Sequence, residues 1–182
     1  MATRNILTDG ERGLEKKSRI VTDFNKRLHI LLDDMQETLI EANGLGLAAP
    51  QVGVLRRAVL IVDTSIESEY IDDQIVELIN PEIIQSYEEQ IGNEGCLSIP
   101  GVYGIVNRPG KVLVKAQDRN GNFFEYEGSD IIARAVCHEI DHLEGILFTS
   151  IADRMLTDEE IAEMQAQSIE DESCEKEDDH TQ

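Results

Sequence analysis

Residues 131–145 read IIARAVCHEIDHLEG and contain the pentad His138-Glu139-Ile140-Asp141-His142. On an α-helix, residues four apart share one face, so both imidazoles leave the same side and offer two neighbouring positions to a metal ion. Glu139 is rotated about 100° from His138 and lies beside that grip, placed for proton transfer rather than for ligation. A helix is expected here without the motif. Ser129 and Asp130 are good N-caps, Gly145 suits the position after the last turn, and no proline intervenes. Ile131 and Ala135 align with the histidines while Ile132, Val136 and Leu143 fall on another face, so the helix belongs in an interior. Two histidines and three acids (Glu139, Asp141 and Glu144) then need compensation, which a bound cation would supply.

Outward from this helix, the chain of 182 residues is read as one main domain over 1–152, followed over 153–182 by a short helix and an acidic, disordered tail. Three cysteines (Cys96, Cys137 and Cys174) form no disulfide framework and predict reduced thiols in the cytoplasm. No apolar run reaches about 18 residues, so neither membrane span nor signal peptide is expected. The net charge of −21 argues against direct nucleic-acid binding, which needs clustered Lys and Arg. Residues 153–182 hold twelve acids against two basic residues, about half of that excess, and His180 and Cys174 within them look incidental.

Residues 1–23 read as an irregular wrapping segment. Thr22 and Asp23 offer caps for a helix of about 18 residues that stops at Asn43-Gly44, with Leu28, Leu31, Leu32, Met35 and Leu39 at core spacing and His29 exposed. GLGLAAPQVG (44–53) is too rich in small residues to serve core volume. Its glycines allow close backbone approach, and Gln51 follows the constraint of Pro50. Alone it would be a tight helix-to-strand connection. RAVLIVD (57–63) and VELINPEII (76–84) read as strands, the second broken at Pro81, and KVLVKAQDRNGNFFEYE (111–127) as a hairpin turning at Asn120-Gly121. Thr157-x-x-Glu160 is a capping box for a helix ending near Ser168.

In GNEGCLSIPG (92–101) glycines bracket Cys96, which alone would be a buried small residue. The helix supplies two coordination positions and needs a third from another segment, which a glycine-flanked cysteine can deliver. Cys96, His138 and His142 would leave one tetrahedral position for water, while Cys137 diverges by about 100° from His138 and packs elsewhere. The ion would bring its water to a pKa of ~7 and Glu139 would accept the proton as hydroxide attacks a carbonyl, with Gln51 and a backbone N–H near Cys96 facing the oxyanion.

GLGLAAPQVG, EGCLSIPG and HEIDHLEG, in that order, resemble the three motifs of the peptide deformylases, over roughly Asn5 to Ile151. The resemblance implies removal of the formyl group from the N-formylmethionine of nascent chains. It matches Cys96, His138 and His142 to the ligands, Glu139 to the acid/base, and Gln51 with the Leu97 N–H to the oxyanion hole. It sets Gly46 beside the bound peptide and pairs Glu94 with Arg108. The implied fold is a compact α+β domain whose metal helix lies in a cradle of antiparallel strands. The implied ion is Fe²⁺, with Zn²⁺ or Ni²⁺ able to take the same donors. Substrate would lie extended between Gly44–Gly46 and Gly92–Gly95, with Ile131 and Ala135 walling the methionine side chain. Two features depart from the family. Glu11-Arg12-Gly13-Leu14-Glu15 stands where many members have Asp-Pro-x-Leu-Arg, and the acidic tail predicts that any ribosome proximity is transient and not made through a basic helix. The rival readings are an HExxH endopeptidase using Glu160 or Glu163 as third ligand, and a silent peptide-binding member.

Overall fold

The structure, a computed structural model, describes residues 2–11 and 13–167. Arg12 and the tail with Cys174, His180 and the expected helix end at Ser168 lie outside them. In chain order the elements are α1 (Lys26–Glu41), β1 (Gly46–Ala48), β2 (Ala58–Val62), β3 (Ile75–Tyr87), β4 (Gln90–Cys96), β5 (Ile99–Arg108), β6 (Lys111–Gln117), β7 (Phe123–Ser129), α2 (Asp130–Glu144) and β8 (Arg154–Met155). Among the described residues the strands form two antiparallel sheets, ordered β1-β2-β3-β6-β7 and β4-β5-β8. The fold is α+β, as expected.

The larger sheet lies between the two helices. Ala58, Leu60 and Val62 of β2 pack with Leu28, Leu32, Met35 and Leu39 of α1. The alternating Val59 and Ile61 pack with Ala133, Val136, Cys137 and Leu143 of α2. A strand buried on both faces needs apolar residues at every position, which explains the unbroken run AVLIV. The other sheet packs Ile99 and Val106 of β5 against Leu147 and Phe148, which follow α2 in the chain, and Leu14 joins them. Leu14 therefore keeps a core position (2 % exposed) despite the unusual residues around it.

Helix α2 ends at Gly145, where φ is 77° and an added Cβ would stand 2.6 Å from the Glu15 carbonyl group. Only glycine satisfies both conditions. Its start differs from expectation: Ser129 occupies the N-cap without a side-chain capping bond, and Asp130 has φ 51°. Contacts from elsewhere hold it, with Asp130 N–H donating to Gly110 O at 2.8 Å and Gln90 Nε2 to Asp130 O at 2.6 Å.

Three further expectations are corrected. The cap of α1 is Asn25, not Thr22 or Asp23; its side chain accepts from the N–H groups of Arg27 and Leu28, while Val21 is held by Asn80 at both its N–H and its C=O. Pro81 does not break β3, because a register shift against β6 between Ile79 and Glu82 absorbs the missing N–H, with Asn80 at φ 51°. His29 is half-buried rather than exposed, its Nε2 lying 2.8 Å from Arg119 O. The expected hairpin forms from β6 and β7, and Asp118 accepts from the N–H groups of Asn120 and Asn122 within its turn. Thr157 and Glu160 exchange the bonds of a capping box ahead of helical residues 158–167.

Candidate metal centre

The potential ligand atoms of Cys96, His138 and His142 lie within 4.8 Å of one another, with Cys96 Sγ 3.2 Å from His142 Nε2. The two imidazoles leave α2 one turn apart, and their ring centroids are 4.9 Å from each other. Cys96 arrives from the last residue of β4, where the pairing with β5 shifts register between Gly95 and Cys96. Such an irregularity re-aims a side chain. Cys137 points away into the core, and burial pushes its thiol up to about 11.

Behind the rings lies a buried ionic network. His138 Nδ1 donates to Glu94 Oε2 at 3.0 Å, which leaves Nε2 as the free donor atom. Arg108 grips Glu94 at two points, 2.8 and 3.0 Å, and pairs with Asp141 at 2.6 Å. Burial alone would raise the Glu94 carboxyl, but hydrogen bonds from His138 and Arg108 outweigh it and hold it at about 2. Arg134 also reaches Glu94, at 3.0 Å. Burial opposes charge on both imidazoles. Without an ion, the hydrogen bonds to Cys96 and Glu94 override it at His138 and raise the ring to about 10, whereas His142, with His138 beside it, falls to about 3; an ion on His138 Nε2 would take the place of the proton shared with Cys96.

The acids on α2 are compensated differently from expectation. Asp141 is neutralised by Arg108, and Glu144 by Lys17 and Arg57, so neither calls for a cation. Glu139 remains. It is 4 % exposed, its Oε2 has no hydrogen-bond partner among the described residues, and burial pushes its carboxyl up to about 7. Gly46 lets it sit there, since a Cβ would stand 2.6 Å from Glu139 Oε1. A thiol with two imidazoles suits a transition-metal dication, and three protein donors leave a position open. The buried, orphaned Glu139 oxygen beside these donors is an acceptor still in need of a polar partner that the described residues do not supply. These residues fit the group.

Gln51 is 1 % exposed and oriented by Ala48 N–H, which donates to its Oε1 at 2.8 Å. Its Nε2 therefore faces Cys96 Sγ (3.6 Å) and Ser98 Oγ (3.3 Å). A cavity of about 500 Å³ opens over the centre, lined by Gly44–Gly46, Gln51, Asn93–Leu97, Ile131, Arg134, Ala135, His138 and Glu139. It thus brings together Gly46, Gly95, Leu97, Ile131 and Ala135, with Glu94 at its wall, while Arg108 and His142 are not among its lining residues. The edge strands β1 and β4 flank it. Glu160 is engaged by Arg154 and the N–H of Thr157, and Glu163 is exposed; neither belongs to the ligand cluster that an endopeptidase reading would require.

Sequence reading missed Arg134 and Ser98, and it read the amino-terminal segment only as an irregular wrap without contact to the centre. Arg134 had a signal, standing four residues before His138 on the same helix face. The segment had none, yet Leu7 N–H donates to Gln51 O at 2.8 Å and Asp9 N–H to Ser98 O at 2.9 Å.

The polypeptide deformylase family model matches residues 3–158. A peptide deformylase of Caldicellulosiruptor bescii is 54 % identical over 161 residues, 88 % of this chain and 92 % of that one. A solved peptide deformylase from Thermotoga maritima superposes with a TM-score of 0.77 at 32 % identity, covering 84 % of this chain and 99 % of that one. A Met-Ala-Ser-bound class I type b peptide deformylase from Acinetobacter baumannii has a TM-score of 0.74 at 34 % identity, covering 82 % of this chain and 98 % of that one.

Proposed function

The chain belongs to the polypeptide deformylase family, and on that premise we propose that it is a metal-dependent hydrolase that removes the formyl group from the amino-terminal formylmethionine of nascent polypeptides, releasing formate. The observation that carries this reading is the convergence of Cys96, His138 and His142 within 4.8 Å beside the unpartnered Glu139 carboxylate oxygen.

Cys96, His138 and His142 would hold one divalent ion, Fe²⁺ in the cell, with Zn²⁺ or Ni²⁺ able to occupy the same donors. Bound there, the ion supplies a Lewis acid that polarises the formyl carbonyl and makes water nucleophilic near neutral pH. Glu139, its carboxyl pushed to about 7, accepts the proton of the attacking water and returns it to the amine as the C–N bond breaks. The Gln51 amide and the Leu97 backbone N–H donate to the developing oxyanion; loss of one such donor typically costs about 3–4 kcal/mol. Glu94, held by Arg108, keeps the His138 ring in register.

The peptide would lie extended between Gly44–Gly46 and Gly92–Gly95, adding to the free edges of β1 and β4, with its methionine against Ile131 and Ala135. Among the described residues no helix is long and apolar enough to cross a membrane. The reading places the protein in the cytoplasm, near ribosomes only transiently and not through a basic tail.

The test is formate release from formyl-Met-Ala-Ser by protein loaded anaerobically with Fe²⁺, beside Glu139→Ala loaded identically. Activity in the parent and its loss by a factor of at least ~10² in the variant are expected. No formate from a parent shown to contain metal overturns the assignment.

A further inference from the structure

Arg134 is 5 % exposed on α2, and its guanidinium makes more contacts than charge neutralisation requires. Nη1 donates to Glu94 Oε1 at 3.0 Å, Val106 O at 3.0 Å and Gly92 O at 3.3 Å, and Nη2 donates to Gln90 O at 3.2 Å. One side chain thus ties α2 to two carbonyls of β4, one of β5 and the carboxylate that orients His138. Glu94 does not depend on it for charge, since Arg108 already makes two bonds to that carboxylate. Arg134, unlike Arg108, also donates to three backbone carbonyls. On the opposite side, the missing Cβ of Gly92 makes room: one built there would stand 3.1 Å from Arg134 Nη2.

We propose that Arg134 is a positioning residue that fixes the free edge of β4, against which the extended peptide pairs, at a set distance from the metal ligands. The proposal rests on the deformylase reading. β4 is the edge strand of the β4-β5-β8 sheet, its backbone ladder made to β5 alone, so side-chain bonds such as those of Arg134 are what fix its distance from α2. A planar guanidinium presents donors from separate nitrogens in fixed directions and can span both strands and the carboxylate, whereas the three donors of a lysine ammonium radiate from one nitrogen on a flexible stem. The peptide edge and the centre then move as one body. Peptide affinity should therefore depend on Arg134 even when the ion remains bound.

The experiment compares the parent, Arg134→Lys and Gly92→Ala by metal content, melting midpoint, and kcat and KM with formyl-Met-Ala-Ser. A Cβ on Gly92 would face the guanidinium, 3.1 Å from Arg134 Nη2, and Gly92 is not among the cavity-lining residues, so the methyl acts on the clamp while the β4 backbone that the peptide pairs with keeps its atoms. In both variants KM should rise about tenfold, the effect of one lost charge-assisted hydrogen bond, with metal per chain unchanged and kcat within a factor of about three. A purely structural role would instead lower the midpoint and the active fraction and leave KM alone. Parental KM in either folded, metal-replete variant overturns the proposal. Should Arg134→Lys fail to fold, Gly92→Ala decides by itself. An inactive parent with metal bound defeats the deformylase reading instead, and peptide affinity measured by calorimetry on the same three proteins then decides the positioning claim.

Discussion

At the scale of single residues, the centre depends on one missing atom as much as on the groups present. Gly46 lies against Glu139 so closely that a methyl would occupy the space of the carboxylate. Gly46→Ala should therefore displace Glu139, the proposed acid/base, while leaving Cys96, His138 and His142 in place. A displacement of about 1 Å at a reacting group costs on the order of 10²-fold in rate. We expect kcat to fall by about that factor with metal content unchanged, as measured by elemental analysis beside formate release. A variant that keeps parental kcat would show that Glu139 does not need its present position.

Among the elements, the amphipathic run after β8 owes its start to a small ionic arrangement. Glu160 accepts from Thr157 N–H and pairs at two points with Arg154, at 2.8 and 2.9 Å. The Arg154 hydrogen bonds, followed by that of Thr157, hold its carboxyl at about 2 rather than the usual 4.5. Because the folded-state value is the lower one, this contribution is complete above pH 4.5 and is lost as pH falls toward about 2. Amide protection over 158–167, taken relative to the intrinsic exchange rate at each pH, should fall across that window in the parent. In Glu160→Gln exchange should be faster already at pH 6 and should not show the same transition. Equal protection at pH 6 in the two proteins would remove the cap from the account. The element-level misses share a cause: at Asn25, Asn80 and Pro81 a local rule met a contact from elsewhere, as where Asn80 holds Val21 across 59 residues.

For the whole molecule, the amino-terminal segment acts as a strap. Ala2 and Arg4 bind Asp34 on α1, Leu7 binds the Gln51 loop and Asp9 binds the loop at Ser98. It therefore joins the two loops that face the cavity from different sheets. Removing residues 2–9 should lower the melting midpoint by about 5 °C, which corresponds to ~2 kcal/mol for a domain of this size, and should reduce kcat several-fold. Calorimetry and formate release check the two parts separately. Unchanged kcat in a destabilised protein would confine the strap to stability.

The sequence by itself determined the α2 helix, its halt at Gly145, the shared face of the two imidazoles, the hairpin turn and the existence of strand β2. These follow from backbone geometry, side-chain period and apolar runs, which act over a few residues and are written in neighbouring letters. The three motifs also carried the family. Only the tertiary structure decided that Cys96 reaches the imidazoles across more than forty residues, that Arg108 and Lys17 rather than a cation answer Asp141 and Glu144, and that Arg134 clamps β4. A buried charge must find a counter-charge, but any segment that packs nearby can supply it. Which segment does so is settled by the packing of the two sheets around α2, not by spacing along the chain.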